Sequence, residues 1–230
     1  MTVLVLALLA ATTTAFALTE ALKLERSPVT RPRFKSVFSP TCACRRATAR
    51  LVVKLKKADT IDAVMVDEDG NEVRTLVSDE GRTRGRTVFR WDGRDDQGAV
   101  VPDGIYRLRL HFAKGDWTIL IPNTVRVDTR PPTIQLVSLE PRRLEADGEP
   151  ATIAVRLSER ARPILLANGE IVLRGVVGYP GIARLTWDGT IDGKRLSPGR
   201  YTLAFEARDP AGNVSAPIDE VTVRIVRPGR

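Results

Sequence analysis

The chain has 230 residues, with 36 Lys+Arg against 28 Asp+Glu for a net charge of +8, two cysteines and one histidine. A composition that is 43% apolar and 28% charged supports a buried core and argues against disorder. One histidine, His111, leaves Ser-His, Cys-His and multi-histidine metal chemistries without their usual parts. Divided along the chain, residues 1–35 carry 5 basic and 2 acidic side chains, residues 36–132 carry 17 and 14, and residues 133–230 carry 14 and 12. No segment concentrates charge as a nucleic-acid footprint would, so nucleic acid is not an expected partner.

Val3–Leu18 is uncharged and ends in Ala15-Phe16-Ala17, a small-x-small pattern. It reads as an apolar helix serving as export signal or membrane anchor, which makes the membrane a partner. Sixteen helical residues span roughly 24 Å, short of a hydrocarbon core of about 30 Å, which favours the signal. No basic residue precedes the run, whereas Lys23, Arg26, Arg31, Arg33 and Lys35 follow it, which by the positive-inside rule would hold the body in the cytoplasm. An export signal whose basic start lies upstream of Met1 reconciles the two, and the expectation is a body outside the cytoplasm. Residues 1–35 are thus read as signal or anchor plus a basic linker containing Arg31-Pro32-Arg33.

From there the chain reads as short alternating strands between Asp-Gly, Asn-Gly and Pro-Gly turns. Strands are expected at Ala49–Leu55, Ala63–Asp67, Glu72–Leu76, Thr87–Trp91, Gly104–Phe112 and Thr118–Asp128. The series restarts at Thr133–Leu139, Thr152–Leu157, Pro163–Ala167, Glu170–Arg174, Ala183–Trp187, Gly199–Arg208 and Glu220–Val226.

The two series carry a repeat. Trp91-Asp92-Gly93 recurs as Trp187-Asp188-Gly189, and each copy continues through a proline (Pro102, Pro198), a glycine (Gly104, Gly199) and a tyrosine (Tyr106, Tyr201). A period near 95 residues is a whole β-sandwich domain. The expected fold is all-β: two tandem immunoglobulin-like or fibronectin-type β-sandwiches after an N-terminal apolar helix, at residues 36–130 and 131–230. Thr129-Arg130-Pro131-Pro132 forms a stiff linker between them. Tryptophan covers the core edge, Asp-Gly turns the chain out of the strand, and the tyrosines fit a tyrosine corner, with the hydroxyl bonding to upstream backbone.

With both copies in view, the chain resembles bacterial immunoglobulin-like surface modules. The first copy resembles the Ig-like domain of the flagellar hook-capping protein family, through Phe38-Ser39-Pro40, Val64-Met65-Val66-Asp67, Val73-Arg74-Thr75-Leu76, Trp91 to Gly98 and Val101-Pro102-Asp103-Gly104-Ile105-Tyr106. In the second copy Asp209-Pro210-Ala211-Gly212-Asn213-Val214-Ser215 resembles the end motif of many bacterial Ig-like and fibronectin-type domains. Related domains place a cation-binding acidic turn after Phe-Ser-Pro. Thr41-Cys42-Ala43-Cys44-Arg45-Arg46 stands there instead and removes the carboxylates. The family's flagellar export and N-terminal assembly region do not match an apolar start, so the resemblance is to the module and not to the capping protein.

Cys42 and Cys44 are read as a local disulfide, an intermolecular pair or free thiols, or a redox or metal pair; the last lacks further ligands for a tetrahedral set. Arg82, Arg84, Arg86 and Arg90 alternate as on one strand face, either solvated or facing an anionic cell-wall polymer. Asp92, Asp95, Asp96 and Asp103 read as turn residues before calcium ligands or a catalytic carboxylate pair. Trp117, unmatched in the second copy, is the candidate exposed contact. No cofactor is implied. The expectation is a non-catalytic envelope protein for support, adhesion or recognition of a cell-wall polymer or envelope protein. The alternative is an accessory subunit of a secreted enzyme or a flagellar-type assembly factor.

Overall fold

A computed structural model describes Thr12 and residues 27–34, 37–145 and 148–226. The expected apolar helix Val3–Leu18, with Lys23, Arg26 and Lys35, lies outside these. Among the described residues no helix is long and apolar enough to cross a membrane.

Among the described residues eight strands make the first half: β1 (Val29–Phe34), β2 (Val37–Phe38), β3 (Ala49–Leu55), β4 (Asp59–Val66), β5 (Glu72–Arg82), β6 (Gly85–Trp91), β7 (Gly104–Phe112) and β8 (Trp117–Val127). They pair as a three-stranded sheet ordered β1-β3-β6 and a five-stranded sheet ordered β2-β8-β7-β4-β5. Alternation explains the layering. In β3 Ala49, Leu51, Val53 and Leu55 are buried, while Arg50 and Lys54 point to solvent. In β7 Tyr106, Leu108, Leu110 and Phe112 do the same from the other sheet. Period-2 burial on both sheets closes one core between them.

The second half is built from β9 (Ile134–Glu140), β10 (Arg143–Leu144), β11 (Ala151–Leu157), β12 (Arg162–Ala167), β13 (Glu170–Arg174), β14 (Gly181–Trp187), β15 (Thr190–Ile191), β16 (Lys194–Arg195), β17 (Gly199–Arg208) and β18 (Ile218–Ile225). Its sheets run β14-β11-β9 and β10-β18-β17-β12-β13, with β15-β16 as a separate small hairpin. A second core lies between the two larger sheets. Apart from that hairpin the strand order repeats the first half element for element. Even the short parallel edge recurs, Phe38 opposite Val127 in one half and Leu144 opposite Ile225 in the other.

The basic segment read as linker is in part a strand. Val29–Phe34 pairs antiparallel with β3, and Val29 enters the first core. Pro32 and the flanking arginines hide this in the sequence. The proline is accommodated because β1 is an edge strand with a register irregularity between Thr30 and Arg33. β2, β10, β15 and β16, of two residues each, were too short for any periodicity to reveal. Glu72–Leu76 extends to Arg82, because β5 continues to pair with β4 through register shifts.

Candidate functional site

The repeated residues hold each sandwich shut at one end. Trp91 and Trp187 are buried, and each indole Nε1 donates to the carbonyl three residues on, at Arg94 and Thr190, 2.9 Å in both halves. Asp92 accepts from the Arg94 amide at 3.2 Å and Asp188 from the Thr190 amide at 3.1 Å and hydroxyl at 2.7 Å, so both aspartates close Asx turns. The Thr190 side-chain hydrogen bond holds the Asp188 carboxyl below its ordinary value. Gly93 has φ +73° and faces Pro40 and Phe38, which leaves no room for a side chain. Tyr106 donates to the Pro102 carbonyl at 2.7 Å and Tyr201 to the Ser197 carbonyl at 2.9 Å, both four residues upstream. Burial raises the Tyr106 hydroxyl above its ordinary value.

These bonds correct the alignment of the repeat. The partner of Pro102 is Ser197, so Pro198 stands where Asp103 stands in the first half. Consistently, Val101 and Leu196 donate equivalent backbone bonds to Gly93 and Gly189. Asp103 is therefore not a turn residue with a repeated role. Its Oδ1 accepts from the Thr129 amide at 2.8 Å and hydroxyl at 2.9 Å, and its Oδ2 lies 3.0 Å from Arg130 Nε. It clamps the segment between the halves from the first side.

The clamp from the second side is the connection between β17 and β18. Asp209 accepts from the Gly212 and Asn213 amides at 2.6 and 2.9 Å and from Asn213 Nδ2 at 2.7 Å. Asn213 Nδ2 also reaches the Asp128 carbonyl at 2.8 Å and the Arg130 carbonyl at 3.3 Å. Pro210 accepts a hydrogen bond from Arg46 of the first half. Beside it, Cys42 and Cys44 are disulfide-bonded in a turn with Cα atoms 5.2 Å apart. Gly212, at φ +110°, packs on that bridge: a Cβ there would fall 2.6 Å from Cys44 Sγ and 3.3 Å from Cys42 Sγ. The Asp-Pro-Ala-Gly-Asn stretch, known in the sequence only as a motif, is thus the part that joins the two halves.

Three carboxyls gather at this junction: Asp128, Glu159 and Asp209 have oxygens within 4.8 Å of one another. Burial raises the Glu159 carboxyl, and Asp128 and Asp209 add to the shift. Asp128 and Asp209 are occupied, the first by Arg126 at 3.4 Å and the second by the loop bonds above.

The remaining candidates scatter. Asp95 accepts from the Gln97 and Ala99 amides, and Asp96 from the Thr75 amide. Arg82 ends β5, pairs with Glu80 at 2.8 Å and lies over Phe89, while Arg84 sits in the turn that precedes Gly85. Arg86 and Arg90 stand on β6. The alternating spacing does not make one face, because the chain crosses from one sheet to the other between Arg82 and Arg86. Trp117, expected to be exposed, is half-buried against the first core opposite Phe112. His111 Nδ1 lies 3.2 Å from Thr118 Oγ1, and the neighbouring Ser78 hydroxyl donates to Asp62, not to the imidazole.

Two layers of β-sheet in each half, joined through a hydrogen-bonded junction, define an all-β modular protein. Residues 45–116 match the family model described as the FlgD Ig-like domain. The basal-body rod modification protein FlgD of Salmonella typhimurium and that of Salmonella typhi are each 40% identical over 58 residues, covering 25% of this chain and 25% of each relative. The first half thus resembles that family's Ig-like domain, and the matched stretch spans about a quarter of the relatives' length. The fibronectin(III)-like modules of Clostridium thermocellum CbhA align over 87% of this chain and 94% of theirs, at 16% identity and a TM-score of 0.45. A biofilm associated protein's BSP domain aligns over 85% of this chain and 29% of its own, at 17% identity and a TM-score of 0.30.

Proposed function

We propose that the protein is a non-catalytic, exported or membrane-anchored envelope protein made of two tandem immunoglobulin-like or fibronectin-type sandwiches. It serves structural support, adhesion or recognition of an envelope partner. The observation that carries this reading is the junction. Asp103 from one side and Asn213 from the other engage the same short segment, so the two halves work as one rigid two-domain spacer. The polar groups of the repeat serve turns and caps, and among the described residues the Ser78 hydroxyl beside the single histidine is bonded to Asp62 instead. A disulfide at the junction suits an oxidising compartment.

A second reading, an assembly or accessory subunit, draws on the match of residues 45–116 to the FlgD Ig-like domain. Co-purification with a defined assembly partner favours it, and retention on purified envelope in the absence of that partner favours the first. Location is tested on intact cells with a membrane-impermeant thiol reagent. Labelling of Cys42 and Cys44 only after external reduction supports export. Labelling that requires lysis overturns it.

A further inference from the structure

The strands of the β1-β3-β6 sheet contain no acidic residue. Inward burial of Leu51, Val53, Thr87 and Phe89 turns the alternate residues outward, and Arg50, Lys54, Arg86 and Arg90 are all exposed. The register then sets like charges side by side, Arg50 opposite Arg90 and Lys54 opposite Arg86, with Val52 opposite Val88 between them. Arg33 of β1 stands beside Val52 in that middle row. The result is three cationic rows about 7 Å apart, from two residues of strand rise each. Arg33, Arg50, Arg86 and Arg90 line one open groove together with Arg45.

Like charges directly opposite on a sheet cost stability. No described carboxylate relieves these: among the described residues none of the six cations forms an ion pair. The other sheet of the same half is different, with Glu72 against Arg109 and Asp96 against Arg74. Arg45 also lines the cleft at the junction, where Arg160, Arg162, Arg174 and Arg208 outnumber the one lining carboxylate, Asp209. There Arg162 again faces Arg208 across paired strands. The two basic surfaces meet at Arg45 and run from one half onto the other.

We infer that this surface is a binding track for a linear phosphate-bearing polymer that lies along the outer face of β1-β3-β6 and enters the junction cleft. Five of the six cations on the first face are arginines, whose planar fork suits phosphate oxygens. Rows spaced along a strand fit a chain of charges better than a single ion. Phe34, half-buried, is the only aromatic among the groove residues, so a stacking platform for nucleic-acid bases is lacking. The inference is independent of the cellular location of the protein.

The test uses the full chain and long-chain inorganic polyphosphate. Binding is expected to weaken about a hundredfold between roughly 50 and 200 mM salt, as release of several counterions requires. Arg50→Glu with Arg90→Glu should weaken it at least about tenfold. The paired control Arg156→Glu with Arg184→Glu, exposed on the corresponding sheet of the second half, should change it less than about threefold. Arg50→Gln with Arg90→Gln provides a milder variant that keeps the fold: it should bind more weakly yet melt no lower than the parent, because a like-charge pair is removed. Absence of polyphosphate binding, or equal loss in the two Glu pairs, overturns the inference. So does single-stranded DNA of equal charge binding more tightly than polyphosphate, which would make the face a nucleic-acid surface.

Discussion

The two halves share a strand order and a Trp-Asp-Gly to Tyr closure, yet they differ at every place where they touch. In the first half Trp91 is gripped by two rings, Phe38 at 5.6 Å and Tyr106 at 4.9 Å between centroids, both edge-on. In the second half Leu144 takes the place of Phe38, and Tyr201 is only partly buried. The first half turns from β7 to β8 through a tight Ala113-Lys114-Gly115-Asp116 turn, while the second makes a long excursion from Asp209 to Pro217 that reaches back to the first half. Repeated residues close the sandwiches; unrepeated residues make the junction. Asp103, Gly212, Asn213 and the disulfide all belong to the second group.

The largest expected effect tests the aromatic difference. Trp91→Ala removes a fully buried ring and should cost about 3–5 kcal/mol. It should exceed Trp187→Ala by about 1 kcal/mol, the worth of the edge-on ring pairs. Hydrogen exchange of β3 and β6 against β11 and β14 reads the two losses separately, and equal losses would dissolve the distinction between the halves.

Asn213→Ala strips the shared segment of its second-side donor, and leaving the buried Asp128 carbonyl unpaired should cost about 1–3 kcal/mol. Its specific signature is motional. The parent should tumble with one correlation time for both halves by 15N relaxation, and the variant with two. A variant that still tumbles as one body would show that Asp103, the Arg46–Pro210 bond and the packing of Gly212 on the disulfide hold the junction without Asn213.

Tyr106→Phe and Tyr201→Phe each remove one hydroxyl bond to backbone. The buried Tyr106 should lose about 1 kcal/mol and the more exposed Tyr201 less, by chemical denaturation. A larger loss at Tyr201 would reverse the ranking.

The smallest effect is one of pH. The folded chain holds Glu159 above its ordinary value, mainly by burial, so its ionised form opposes folding at neutral pH. That opposition fades as pH falls through the raised folded value and is gone below the unfolded one. Glu159→Gln should therefore melt above the parent at about pH 7, with the gap closing towards about pH 4. Asp188, held low by Thr190, has the opposite sign: its contribution is present above the unfolded value and is lost as pH falls through the lowered folded one. A gap for Glu159→Gln that widens on acidification would contradict the junction electrostatics.

Much of the strand plan was legible in the sequence because alternation is local. Ala49–Leu55, Gly104–Phe112, Glu170–Arg174 and Gly199–Arg208 are strands with the bounds their patterns mark. The resemblance of the first half to a hook-capping Ig-like domain was legible too, from Phe38-Ser39-Pro40 through Tyr106. What escaped was short or disguised: β2 and β10 hold two residues each, and β1 carries a proline, tolerated on an edge strand with a register irregularity. The repeat was visible in its tryptophan, glycine and tyrosine pairs, while the matching prolines misaligned one position of the loop, which the tyrosine bonds and the Val101 and Leu196 backbone bonds align.

Sequence alone determined which residues turn inward, where the chain turns, and that a unit of about 95 residues occurs twice, because each depends on neighbours a few positions apart. The tertiary structure decided what Asp103 and Asn213 are for, since their partners lie 26 and 85 residues away. It also decided where the charge stands. An excess spread almost evenly along the chain becomes a face without carboxylates, because strands distant in sequence are neighbours in the sheet and their alternate residues share one side.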